Sequence, residues 1–314
     1  MTDSGPIVTI FGAAGFVGRA VVRHFARAGW RVRAGTRRPQ QAGFLRPLGD
    51  LGQVVPVNAD VRLPSTLLPV VQDAQAVVNL AGILSPAGQQ TFEAVHVEGA
   101  ANAAGAAAAA GAASFIHVSA IGADPSARSR YARTKGLAEH RAQERFGGAT
   151  VLRPSIVFGP EDQFFNRFAA VIRIAPAMPV PGGGLVRLQP VYVDDVAAAV
   201  FRAATTHDAA GHTYELGGPR TRSLMDILRW TREQVNRRCL LVPVPFTLLW
   251  PQALLMECLP SPPLTRDQLR LLMTDNVVSG DVGTLSDLDI EPTAHEGIAP
   301  AYLERFRPGG AASG

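Results

Sequence analysis

The sequence predicts an α/β fold, a doubly wound parallel sheet followed by a smaller, mainly helical C-terminal domain. Three observations predict it. Through the first half, short β-branched runs alternate with helical stretches, the pattern of successive strand–helix–strand units. A glycine-rich turn joins the first such run to the first helical stretch, and after Gly159 the alternation loosens. At 314 residues the chain is long enough for one large sheet domain and an appendage, at about 150 residues per domain. Its 47% hydrophobic and 18% charged residues suit a packed core rather than a disordered chain.

Strands are expected at 7–11, 31–34, 54–57, 76–80, 115–119 and 150–157, with helices in the intervals. The alanine-rich stretch 99–113 reads as a tightly packed crossover helix, because alanine is the best helix former. Beyond Gly159 a proline-rich turn is expected at 176–184 and a strand and helix at 188–203, returning to the sheet. A strand follows at 213–216, and the remainder is mostly helical, ending in a short tail from Pro308. Phe164, Phe165, Phe168 and Ile172 lie at helical spacing, which favours core packing.

Gly12, Gly15 and Gly18 enclose Ala13, Ala14, Phe16 and Val17 between a strand and a helix. In that context glycines permit a tight turn and let backbone N–H groups approach a pyrophosphate, which the helix N-terminus also favours. The sheet is therefore expected to be Rossmann-type. Residues 1–160 form the dinucleotide-binding domain, with 188–203 returning to it, and 161–314 form a smaller domain for substrate or partner.

Proteins specific for NAD(H) place an acid about 20 residues after the glycines, at the end of the second strand. No Asp or Glu occurs between Asp3 and Asp50, and the second strand runs into Arg37 and Arg38. A guanidinium pairs the 2′-phosphate that a carboxylate would repel, so NADP(H) is expected over NAD(H). The plainer reading makes Arg37 and Arg38 two of many surface arginines. Asp60, after the third strand, either binds the adenine amino group or caps the next helix.

The chain holds a single lysine, Lys135, against 29 arginines. It lies four residues after Tyr131, on the same face of a helix. A phenol, with a pKa near 10 in water, needs a nearby positive charge to exchange protons near neutrality. Ser119, closing the fifth strand, would hold a substrate carbonyl or hydroxyl. A lone lysine has to fall somewhere, which is the plainer reading of its position.

With these residues the chain resembles the extended or atypical branch of the short-chain dehydrogenase/reductase superfamily, whose members are similar to the NAD-dependent epimerase/dehydratases. The matches include 79–82, 152–160 and 191–197. The resemblance implies Ser119, Tyr131 and Lys135 as catalytic residues. It implies cofactor contacts at Gly12, Gly15, Phe16, Val17, Gly18, Arg37, Arg38, Asp60, Val61, Ala81, Gly82, Tyr131, Lys135, Pro154 and Ile156. Two departures stand out: only twelve residues separate Ser119 from Tyr131, and His96 stands where many members carry asparagine.

Strings at 119–124, 160–169 and 276–278 are similar to the NAD(P)H-binding accessory subunits of respiratory complex I, the alpha-subcomplex subunit nine family in its alphaproteobacterial form. That resemblance implies a structural or regulatory subunit, with complex I core subunits and membrane headgroups as partners. It places the chain peripherally on the cytoplasmic side of the inner membrane. The alternative is an active NADP(H)-dependent oxidoreductase or epimerase/dehydratase, cytoplasmic, acting on a small-molecule substrate.

Other classes find less support. Cys239 and Cys258 show no metal or disulfide spacing, and no metal is expected. The first six residues lack the regions of a signal peptide. Pro243, Pro245, Pro251 and Glu257 interrupt the apolar stretch 240–259, so it is not a regular spanning helix. With Trp250 in it, the stretch suits contact with a membrane subunit or burial equally. A pI near 9.6 with a net charge of +4 would suit nucleic acid, but no arginine run exceeds two and no aromatic-plus-basic motif occurs. No nucleic-acid partner is expected.

Overall fold

The computed structural model describes residues 5–257 and 264–310. Along the first half run β1 (Ile7–Phe11), α1 (Phe16–Arg27), β2 (Arg31–Thr36), β3 (Val54–Asn58), α2 (Leu68–Val71) and β4 (Ala76–Asn79). They are followed by α3 (Gly99–Ala109), β5 (Ser114–Val118), α4 (Arg130–Arg145) and β6 (Thr150–Pro154). Next come β7 (Val157–Phe158), α5 (Phe165–Ile174), β8 (Ala177–Pro181), β9 (Arg187–Leu188) and β10 (Val191–Tyr192). The chain continues through α6 (Val193–Thr205), β11 (Thr213–Leu216), β12 (Arg222–Ser223), α7 (Leu224–Val235), β13 (Leu240–Val244), α8 (Phe246–Met256), α9 (Arg266–Leu271) and α10 (His295–Leu303).

Two compact units are built from these elements. The first takes the chain up to Pro154 together with Val193–Leu216 and Ser279–Glu291; the second takes Ser155–Tyr192, Gly217–Val278 and the chain from Pro292. The first unit therefore ends six residues before the boundary read from the sequence at 160. Of the 188–203 segment, α6 belongs to it, while β9 and β10 belong to the second unit.

The first unit is a seven-stranded sheet in the order β11-β6-β5-β4-β1-β2-β3, and every pair in it is parallel. Its central strands β1, β4 and β5 are almost wholly buried, because helices cover both faces of a parallel sheet. On one side α1 packs on α6, and on the other α3 packs on α4. The alanine-rich stretch becomes α3, which buries Ala100, Ala103, Ala104 and Ala107. Such small side chains let its backbone approach α4, where Ala138 and Ala142 are buried in the same core.

The order reverses between β1 and its neighbours β2 and β4. At such a switch point the carboxyl ends of adjacent strands open a crevice where ligands bind. The register pairs Phe11 with both Gly35 and Asn79, so the segments that leave β1, β2 and β4 share one edge.

Two expectations are corrected. The strand predicted at 150–157 is two strands, β6 and β7, because Pro154 offers no N–H to continue a ladder, and Ser155 turns its hydroxyl to Asn276 Oδ1 at 2.6 Å. The proline-rich segment read as a turn at 176–184 contains a strand, β8, paired in parallel with β13 over five residues. A two-stranded pairing leaves one edge of each strand free of ladder bonds, where prolines are tolerated; only 182–184 turn.

In the second unit Phe165 and Ile172 lie at the centre of the core, with Phe164 and Phe168 packed against it. Asp162 fixes the start of α5, accepting hydrogen bonds from the N–H groups of Gly159, Phe164 and Asn166 and from the Tyr302 hydroxyl at 2.8 Å. The apolar stretch at 240 divides into β13 and α8, with Pro245 before the helix and Pro251 inside it. Cys258 and the end of that stretch lie outside the described residues, as do the last residues of the tail.

Candidate functional site

The cleft opens at the carboxyl ends of β1, β2, β3 and β4. Gly12 turns the chain out of β1 at φ +81, and a Cβ there would sit 3.0 Å from Ala81 N. Gly18 in the first turn of α1 has no room for a side chain, because a Cβ would come within 2.3 Å of Gly12 O. The loop closes on itself through Gly15 N to Gly12 O at 3.0 Å. No side chain caps α1 and no acid lies in its first turn, so its early N–H groups and dipole face the loop without a competing carboxylate. This cradle, filled by any Cβ, fits the pyrophosphate of a dinucleotide.

The cleft is open to solvent, and among its lining residues are Gly12, Gly15, Arg37, Asp60, Val61, Ala81 and Gly82. Phe16, Val17 and Gly18 follow in the first turn of α1. Arg38 is exposed and is not among the lining residues; Pro154 ends β6, and Ile156 lies in the second unit.

Sequence reasoning missed Arg62, which lines the cleft and grips Asp60. Its Nη2 donates to Asp60 Oδ2 at 2.6 Å, its Nε donates to Oδ1 at 3.0 Å, and its backbone N–H donates to Oδ1 at 3.0 Å. These bonds, together with the positive field of Arg37, hold the Asp60 carboxyl below its usual range despite partial burial. Of the two roles open to Asp60, capping a helix with its carboxylate is not what is seen; the carboxylate belongs to the turn that follows β3.

Across the cleft the Asn79–Gly82 exit is held from two sides. Asn79 Oδ1 accepts from Ala81 N at 3.1 Å, and His96 Nε2 accepts from Ile83 N at 3.1 Å. His96 is thus a neutral ring whose Nδ1–H donates to Thr134 Oγ1 at 3.0 Å; burial lowers its pKa to about 3. It sits in a π-helical turn, Glu93–Glu98, a rare geometry that recurs at functional sites. The asparagine departure noted in the sequence is therefore a ring that anchors the loop.

The helix α4 carries Tyr131 and Lys135 one turn apart, its start capped by Ser129 Oγ accepting from Ala132 N. Lys135 is 6% exposed, and its Nζ donates to Val118 O at 3.1 Å. A Cβ on Gly82 would lie 3.4 Å from that Nζ, so the lysine stands behind the loop that lines the cleft. Burial lowers its pKa to about 8, opposed by Glu139. Tyr131 is edge-on to His96 and Phe92, with ring centroids 5.5 and 6.1 Å away. Burial pushes its phenol up to about 12.

Ser119 is 4% exposed, and nothing among the described residues hydrogen-bonds its Oγ. Two residues earlier on β5, His117 Nδ1 accepts from Asn79 Nδ2 at 3.2 Å, because Asn79 has committed its oxygen to Ala81. Burial lowers His117 to about 3. A bound nicotinamide would supply hydride exchange; the chain supplies a buried cation, a phenol and an unpartnered hydroxyl.

The fold and cleft define a nicotinamide-dinucleotide-binding protein of Rossmann type, and the chain belongs to the NAD dependent epimerase/dehydratase family, whose family model matches residues 8–217. Among its relatives is the NADH dehydrogenase [ubiquinone] 1 alpha subcomplex subunit 9, mitochondrial, of Arabidopsis thaliana. The two are 33% identical over 319 aligned positions, covering 98% of this chain and 79% of that one. The ceramide reductase of Caulobacter vibrioides is 34% identical over 206 positions, covering 65% and 63%. The solved structure of MoeE5 in complex with UDP-glucuronic acid and NAD superposes with a TM-score of 0.68 at 20% identity, over 95% and 97% of the two chains. That likeness concerns the fold.

Proposed function

We propose that the chain is an accessory subunit of respiratory complex I, the NADH:ubiquinone oxidoreductase, that holds NADP(H) as a structural or regulatory group. The observation that carries this reading is similarity along 98% of the chain to a subunit of that enzyme. Arg37 on the cleft wall, with no acid in that segment, supports NADP(H) over NAD(H). The same similarity is the support for a peripheral site on the cytoplasmic side of the inner membrane; among the described residues no helix is long and apolar enough to cross a membrane.

A second reading, an NADP(H)-dependent reductase, is supported by the unpartnered Ser119 hydroxyl and by the similarity to the ceramide reductase. The experiment that separates them tags the chain at its C-terminus, extracts native membranes in mild detergent and identifies stoichiometric partners by mass spectrometry. Recovery of complex I core subunits is expected. A partner-free protein would overturn the first reading in favour of the second.

A further inference from the structure

Among the described residues, three ionisable side chains line the dinucleotide cleft: Arg37, Asp60 and Arg62. Arg37 follows β2 directly and Asp60 follows β3, whose ends are in register at Thr36 and Asn58; Ala59 N donates to Thr36 O at 3.0 Å. The two strand exits are therefore tied together, and the charges they carry face one space. If Arg37 and Asp60 were alone, their charges would cancel there, and a phosphate of charge about −1.5 to −2 would meet a bare carboxylate.

Arg62 removes that obstacle. Its fork grips both oxygens of Asp60 using Nε–H and one Nη2–H. A guanidinium has five N–H groups, so three remain for another acceptor. The side chain is 22% exposed, enough to present them to the cleft.

We propose that Arg62, clamped to Asp60, is the second cation that selects a 2′-phosphorylated adenosine, the part that the sequence alone assigns to Arg38. This rests on the reading of the cofactor as NADP(H). Asp60 fixes the fork while Arg62 turns the carboxylate from a repulsive group into part of a net-positive wall. Discrimination then comes from both strand exits, with Arg37 on one side and Arg62 on the other.

The test is calorimetric titration of the full chain with NADPH and with NADH, for wild type, Arg62→Gln and Arg38→Gln. The ratio of the two dissociation constants is the readout. Arg62→Gln is expected to reduce the preference for NADPH by about tenfold or more, the scale of one charged hydrogen bond, and by more than Arg38→Gln does. Equal weakening of both nucleotides by Arg62→Gln, or a larger loss of preference in Arg38→Gln, would overturn the assignment while leaving the cofactor reading intact. A wild-type protein that binds NADPH no better than NADH would overturn both. Should Arg62→Gln fail to fold, Arg62→Lys is compared with Arg38→Lys by the same ratio, since lysine keeps the charge and loses the fork.

Discussion

The adenosine end and the reactive end of the site are built on opposite principles. At the adenosine end, Arg37, Asp60 and Arg62 stand at an open cleft, with Asp60 and Arg62 paired to each other. At the reactive end, Lys135, His96 and His117 are buried together, and burial pushes every one of them toward its neutral form. Burial also keeps the Tyr131 phenol protonated. Fixed charges at an open cleft suit an anionic ligand, whereas the reactive end sets a phenol and a desolvated lysine beside neutral rings. The difference teaches that one crevice joins an exposed, charged wall to a buried, desolvated interior.

The largest effect expected is from Gly18→Val, which breaks the comparison at its adenosine end. Its Cβ would meet Gly12 O and Ala13 O at 2.3 and 2.6 Å, both backbone atoms that cannot turn aside. Overpacking of about 3 kcal/mol and loss of NADPH binding are expected, checked by chemical denaturation and nucleotide titration. A stable variant that still binds would mean the loop is not the cradle.

At the reactive end, Lys135→Met sharpens the comparison through pH. The lysine has a pKa of about 8 in the fold and 10.5 unfolded. Between those values the unfolded chain binds the extra proton, so the wild type gains stability as pH rises. Below pH 8 the full penalty of burying the cation is present; above 10.5 it is gone. Relative to Lys135→Met, the wild type should therefore gain on the order of 3 kcal/mol from pH 7 to 10.5. Parallel denaturation series would show this, and a constant difference would mean that the lysine is not desolvated.

Tyr131→Phe should do least. Complex I assembly and NADPH retention are expected within about twofold of wild type, since the ring keeps its packing on His96 and Phe92 and volume-conserving changes are tolerated best. Loss of a measurable turnover in this variant would instead favour the reductase.

Much of the adenosine end was legible in the sequence because it depends on local chain: a strand, a glycine turn and a helix from 7 to 18, and the absence of an acid before Arg37. The Tyr131 and Lys135 pairing was legible for the same reason, being one helical turn. What escaped reading depends on contacts between distant segments. Nothing local says that His96 supports Ile83, that Ser119 finds no partner among the described residues, or that prolines at 179 and 181 sit in a paired strand. Arg62 is the intermediate case: an Asp followed two residues later by Arg, after a strand, was on view, but its fork becomes apparent only when the turn is seen.

The most direct measurement is of the nucleotide carried by the tagged chain, purified with its partners from native membranes. The account predicts about one NADP(H) per chain, retained through purification among complex I subunits, with its oxidation state unchanged when a metabolite extract is added. A chain that arrives without complex I, or whose bound NADPH is oxidised by a component of that extract, would contradict it.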